Sequence, residues 1–284
     1  MALPPPDPGS TALVTGASAG IGTELARGLA QRGHGVTLVA RREDRLRQLA
    51  DELRERHGVR AEVVAVDLAS ERERDRLADA VEALGLNVEI LVNNAGFGIY
   101  EPLARSDRQR ELQQVRLLVE AVVDLDARYV PAMVERGRGA VINLSSTAGF
   151  QPLPGNGTYS AAKSFVLVHT EALHDELRDT GVTATAVAPG PVRSEFQETS
   201  APLFGDRLPK LVWSDPARVA LDALGAADRG KRSVVPGGLA VKGAFAPSRL
   251  MPTTVTAVID AMPSAIRGQN GRKYWIKRTR VCMS

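Results

Sequence analysis

A short apolar run, Thr11-Ala12-Leu13-Val14, passes directly into Thr15-Gly16-Ala17-Ser18-Ala19-Gly20-Ile21-Gly22, after which Ile21, Leu25, Leu29 and Ala30 recur at helical spacing. Few folds join a strand, a three-glycine turn and a helix with no spacer. The glycines permit a tight turn and close backbone approach, and the helix N-terminus offers N–H groups to an anion, so the unit reads as a phosphate cradle. Its spacing, Gly-x-x-x-Gly-x-Gly, differs from the commonest dinucleotide fingerprint, and a purely structural turn is the alternative reading.

The same alternation continues down the chain. Val36–Val39, Ala61–Val66, Glu89–Val92, Ala140–Leu144 and Val182–Ala188 read as buried strands, separated by helical patterns at Glu43–His57, from near Ser70, at about 111–135, and from the Tyr159 region to about Asp179. Alternating strands and helices predict an α/β fold: a doubly wound parallel sheet of about seven strands with helices on both faces. No signal for a domain linker occurs before about residue 237, so residues 11–236 are expected to form one catalytic-size domain. Residues 1–10, with Pro at 4, 5, 6 and 8, read as a short extended arm and not as a signal peptide; residues 237–284 read as a basic helical extension.

The strand ends carry the chemistry. In open α/β sheets ligands bind outside the carboxyl ends of the strands. After Val36–Val39, where an NAD site usually presents an acid to the ribose 2′-hydroxyl, this chain has Ala40-Arg41-Arg42. No carboxylate repels a 2′-phosphate there, and two guanidiniums can pair with it, which points to NADP (NADPH). The plainer reading makes Arg41 and Arg42 the lead-in to a charged helix. Asp67, after the third strand, can accept from an adenine amino group or cap the next helix. Asn93-Asn94-Ala95-Gly96 follows the fourth strand, where small and amide-bearing residues let backbone lie close to a flat ring. Pro189-Gly190-Pro191-Val192 closes the sixth.

Tyr159 and Lys163 stand four residues apart, one helical turn on the same face, thirteen and seventeen positions after Ser146. A cation near a phenol favours the phenolate and is expected to lower its pKa, which helps the phenol exchange a proton with a substrate oxygen. A hydroxyl at Ser146 can hydrogen-bond that oxygen. Alone, such a Tyr-x-x-x-Lys pair is usually one solvated helix face.

Composition narrows the alternatives. The only cysteine, Cys282, precludes an internal disulfide, and with no cluster among His34, His57, His169 and His174 a metal site is not expected. The cytoplasm is the expected compartment. Net charge is +3, but residues 229–284 hold eleven Lys or Arg against the single acid Asp260, leaving −7 on residues 1–228. The basic end can be solvated or can touch anionic lipid, so peripheral membrane contact stays open. A net-acidic body with no recognition motif argues against nucleic acid as a partner.

Taken in order, the glycine turn, Asn93-Asn94-Ala95-Gly96, Ser146, Tyr159-x-x-x-Lys163 and Pro189-Gly190 resemble the short-chain dehydrogenase/reductase family over about residues 10–236, and within it the NADP-dependent reductases of 3-oxoacyl and related ketones. The resemblance implies that Tyr159 is the general acid, that Lys163 holds the nicotinamide ribose, and that Ser146 polarises the carbonyl. It places Gly16, Ser18, Gly20, Ile21 and Gly22 at the pyrophosphate, Asp67 at the adenine and Asn93 on the adenosine side. Ala95, Gly96, Pro189 and Gly190 would complete the cofactor bed, with Val192 at the nicotinamide amide. It also implies a homo-oligomer, a dimer or tetramer, built through the Glu111 and Tyr159 helices.

One position departs from the family pattern: where an Asn is expected to hold a water on the proton path from Lys163, this chain has Leu118. Either another group relays the proton, or turnover is slowed or given up, which leaves a non-catalytic NADP-binding scaffold as the alternative to an active enzyme. Substrate choice is expected to lie in Arg193–Trp213, whose Phe196, Leu203, Phe204, Leu208, Leu211, Val212 and Trp213 can line an apolar pocket for an acyl ketone or, alternatively, a sterol or retinoid ketone.

Overall fold

The computed structural model describes residues 3–193, 195 and 213–237. The sheet has seven parallel strands in the order β3-β2-β1-β4-β5-β6-β7: β1 Ser10–Thr15, β2 Val36–Ala40, β3 Ala61–Ala65, β4 Asn87–Asn93, β5 Gly139–Leu144, β6 Val182–Val187 and β7 Ser233–Val234. The helices are α1 Gly20–Ala30, α2 Glu43–His57, α3 Glu71–Ala83, α4 Arg108–Val115, α5 Ala121–Glu135, α6 Gly157–Glu176 and α7 Pro216–Asp228.

Strand side chains alternate in direction, so β1 serves two cores at once. Ala12 and Val14 pack with Leu25 and Leu29 of α1, Leu46 and Leu53 of α2, and Ala223 and Leu224 of α7. Leu13 points to the other face, where Leu77 and Val81 of α3 meet Leu125 and Met133 of α5. Burial on both faces explains why the central strands read as continuous apolar runs.

Strand order reverses between β1 and β4, and the crevice at such a switch point opens where Thr15 and Asn93 end. Two details depart from the sequence reading. The helix expected over 111–135 is interrupted by a π-helical turn at Arg116–Glu120, with Leu118 inside it. The Pro-rich start does not stand away from the body. Leu3 is buried with the α1–α2 core, and Arg138 donates to the Pro5 carbonyl at 2.7 Å. The expected basic helical extension, past residue 237, and the apolar residues at 196–212 lie outside the described residues.

Candidate active site

The glycine turn is held from beneath by the end of β4. Thr15 Oγ1 donates to the Val92 carbonyl (3.1 Å) and accepts from Asn94 N (2.9 Å) and Ala95 N (3.1 Å). Asn94 Nδ2 donates to Thr15 O at 2.9 Å and to Gly16 O at 3.3 Å. A side chain on Gly16, whose φ is +66°, would begin 2.7 Å from Asn94 Nδ2, and one on Gly22 would begin 2.3 Å from the Gly16 carbonyl. Glycine is required at both places for space, and at Gly16 for conformation as well. The α1 N-terminus has neither a side-chain cap at Ala19 nor an acid in its first turn, so its positive end is presented to whatever sits above the turn. A cradle with these features fits a pyrophosphate.

Arg42 folds back onto this turn, with Nε and a terminal nitrogen 3.2 and 3.1 Å from Ser18 Oγ. Its other terminal nitrogen donates to Glu195 at 2.8 Å, and Arg45 pairs with the second oxygen of the same carboxylate. Arg41 is exposed beside it. Asp67 accepts from Ala69 N at 3.1 Å, closing a turn ahead of α3. The side chain of Asn93 is directed into the body, where it donates to Asp126 (2.8 Å) and to Asn143 (2.9 Å).

Ser146 is positioned by a short 3-10 turn, Thr147–Phe150, that lies directly on α6. Ser145 Oγ donates to the Lys163 carbonyl at 2.6 Å, and a side chain on Gly149 would strike the Lys163 and Ser164 backbone at 2.7 Å. Ser146 Oγ accepts from Ala148 N (3.1 Å) and is hydrogen-bonded to the Tyr159 phenol. Lys163, 6% exposed, donates from Nζ to the Leu144 carbonyl at 2.6 Å and lies 5.8 Å from the Tyr159 ring centre. Ser146, Tyr159 and Lys163 therefore meet at the carboxyl end of β5.

The electrostatics correct one expectation. Burial dominates Tyr159 and pushes its pKa up to about 12, the Ser146 hydrogen bond opposing and Tyr100 adding to the rise. Burial likewise lowers Lys163 to about 8. The neighbouring ammonium does not bring the phenol down towards neutrality, because loss of water dominates both groups.

Leu118 is fully buried against Tyr159 and Ala162. A side chain on Gly96 would begin 2.8 Å from Leu118 Cδ2 and 3.9 Å from Lys163 Nζ, so both groups face the same stretch of backbone. Where the family pattern has an amide, this site has an apolar wall beside its ammonium.

Tyr100 and Asn156 complete the polar lining and have no place in the sequence reading. The Asn156 amide is hydrogen-bonded to the Tyr100 phenol, and Asn156 stands three residues before Tyr159, the only sequence signal that it belongs to this face. Val192 bridges to Ser214, and Arg193 N donates to the Ser214 carbonyl at 3.2 Å. The segment expected to choose the substrate thus leaves and rejoins the body at one point, beside the site.

Comparison with known proteins agrees with this geometry. The family model for short chain dehydrogenases matches residues 10–202. The human very-long-chain 3-oxoacyl-CoA reductase is 34% identical over 209 residues, 72% of this chain and 66% of that protein, so the chain spans about two thirds of that relative's length. Sulfoacetaldehyde reductase 2 of Chromohalobacter salexigens is 35% identical over 207 residues, 69% of this chain and 81% of that one. Among solved structures, a short-chain dehydrogenase from Sphingobium yanoikuyae in complex with NADPH superposes with a TM-score of 0.75 at 29% identity, covering 90% of this chain and 97% of that one. The expected family, fold and NADP-linked chemistry agree with these relatives, and the chain belongs to the short-chain dehydrogenase family.

Proposed function

We propose that this protein reduces a ketone to a secondary alcohol with NADPH, Tyr159 acting as general acid. The observation that carries the reading is the convergence of Ser146, Tyr159 and Lys163 beside a glycine turn shaped for a pyrophosphate. The cofactor would lie over Gly16–Gly22, with Arg42 at its 2′-phosphate and Val192 near its nicotinamide, and when bound it supplies the hydride. Ser146 and Tyr159 orient the carbonyl oxygen from one side by hydrogen bonds. Tyr159, held protonated at neutral pH by burial, donates its proton as charge develops on that oxygen. Lys163 stays charged below about pH 8 and supports the phenolate left behind.

The substrate reading is an apolar or 3-oxoacyl ketone. It is supported by the apolar composition of residues 193–213 and by the similarity to 3-oxoacyl-CoA reductases. Turnover, followed as loss of NADPH absorbance, is expected to rise with acyl length across 3-oxo esters and thioesters. Tyr159→Phe should lower it about a hundred- to ten-thousandfold while leaving NADPH affinity intact. Normal turnover by that variant would refute the assignment of Tyr159, and indifference to chain length would refute the acyl class.

The same reading includes a homo-oligomer. Val123 of α5 and Phe165 and Val168 of α6 leave apolar side chains on the surface of the helices that the family resemblance makes the dimer face.

A further inference from the structure

The pairing of Glu195 with Arg42 and Arg45 joins two segments that the proposed function assigns to opposite ends of one dinucleotide. Glu195 follows Val192 by three residues, on the nicotinamide side; Arg42 follows β2, on the adenosine side. The contact is divided evenly, with Glu195 Oε2 accepting from Arg42 at 2.8 Å and Oε1 accepting from Arg45. Arg42 spends its remaining nitrogens on Ser18 Oγ and on the Ser18 carbonyl, at 3.1–3.3 Å, which fixes its guanidinium over the glycine turn. All three charged side chains are about two-fifths exposed, within reach of an incoming ligand.

We propose that Glu195 is an internal anion that competes with the cofactor 2′-phosphate for Arg42 and Arg45, and that Arg45 is a second phosphate-holding residue beside Arg42. The proposal rests on the assignment of Arg42 to the 2′-phosphate given above. A guanidinium presents planar donors that suit a carboxylate and a phosphate equally well, so one oxyanion can take the other's place. A phosphate carries more charge than a carboxylate and displaces it, but the displaced contact subtracts from the affinity gained. NAD has no 2′-phosphate and leaves the pairing intact. The contact therefore responds to one cofactor and not to the other, and it does so in the chain segment that leads towards the substrate side.

The pair is exposed, so the effect is modest. Glu195→Gln keeps the shape and removes the charge, and it is expected to tighten NADPH and adenosine 2′,5′-bisphosphate about two- to fivefold in a fluorescence or calorimetric titration. NADH and 5′-ADP affinities should not move. Arg45→Ala should weaken NADPH, and in an Arg42→Ala, Arg45→Ala background Glu195→Gln should have no effect. Unchanged or weaker NADPH binding by Glu195→Gln overturns the competition, as does equal tightening of NADH. A wild-type protein that binds NADPH no better than NADH overturns the 2′-phosphate assignment itself, and the proposal with it.

Discussion

Lys163 shows how loss of water sets the working range of a buried charge. Its ammonium has a carbonyl acceptor, Leu144 O, and an apolar neighbour, Leu118, across the same backbone, and burial lowers its pKa to about 8. The sign follows directly: the charged form is present below that value and is lost above it. The reductive kcat/KM is expected to decline as pH rises past about 8. Leu118→Asn places an amide beside the charge, favours the ammonium, and should move that limb to higher pH, at a cost in stability of about 1.5–3 kcal/mol for the lost leucine burial. Paired pH–rate profiles test this, and a limb that stays in place would remove Leu118 from control of Lys163. The pattern Tyr159-x-x-x-Lys163 was legible in the sequence because helical spacing alone puts the two on one face. The direction of the Tyr159 shift was not, because it depends on how much water the folded site removes.

Between the elements, β4, β5, α5 and α6 are tied by a polar cluster centred on the buried carboxylate of Asp126. It accepts from Asn93 Nδ2 (2.8 Å) and Asn143 Nδ2 (2.9 Å) and is paired with His169 Nε2 at 3.0 Å, while Asn143 also donates to Thr170 Oγ1 at 3.0 Å. The Asp126 hydrogen bond raises the His169 pKa above 6.5. A raised folded value means that the His169 contribution to stability is fully present below about 6.5 and fades as pH rises through the folded pKa. His169→Gln should therefore cost more at about pH 6 than at about pH 8 in denaturant unfolding at the two pH values. An equal loss at both would show that His169 serves by packing on Phe165, with which it is stacked at 5.6 Å. Nothing in the local sequence links Asp126 to His169, forty-three residues on; only the packing of α5 beside α6 does.

At the scale of the whole molecule, the same two helices carry apolar surface: Val168 is 64% exposed and Phe165 is 40% exposed. If α5 and α6 form the face between copies, Val168→Glu with Phe165→Glu should convert the oligomer to a monomer, read as molar mass by light scattering, because paired carboxylates cannot be buried there without compensation. An unchanged mass would place the interface elsewhere. The fold itself was determined by the sequence alone. Continuous apolar strands, helices of 3.6 period between them, and a glycine turn after the first strand leave a doubly wound sheet as the consistent arrangement, and each of these signals is local. Ser146, Tyr159 and Lys163 were legible for the same reason, since strand ends and helix faces follow from spacing. What the tertiary structure decided are the matters that depend on distant partners. It turned Asn93 inward to Asp126, gave Asn94 and Thr15 the support of the glycine turn, and brought Tyr100 to Asn156. It opened a π-helical turn around Leu118 and set Glu195 on Arg42 and Arg45, across 153 and 150 residues of chain. Periodicity fixes which side of an element a residue occupies; only the packed chain fixes which charge, amide or apolar wall it meets there.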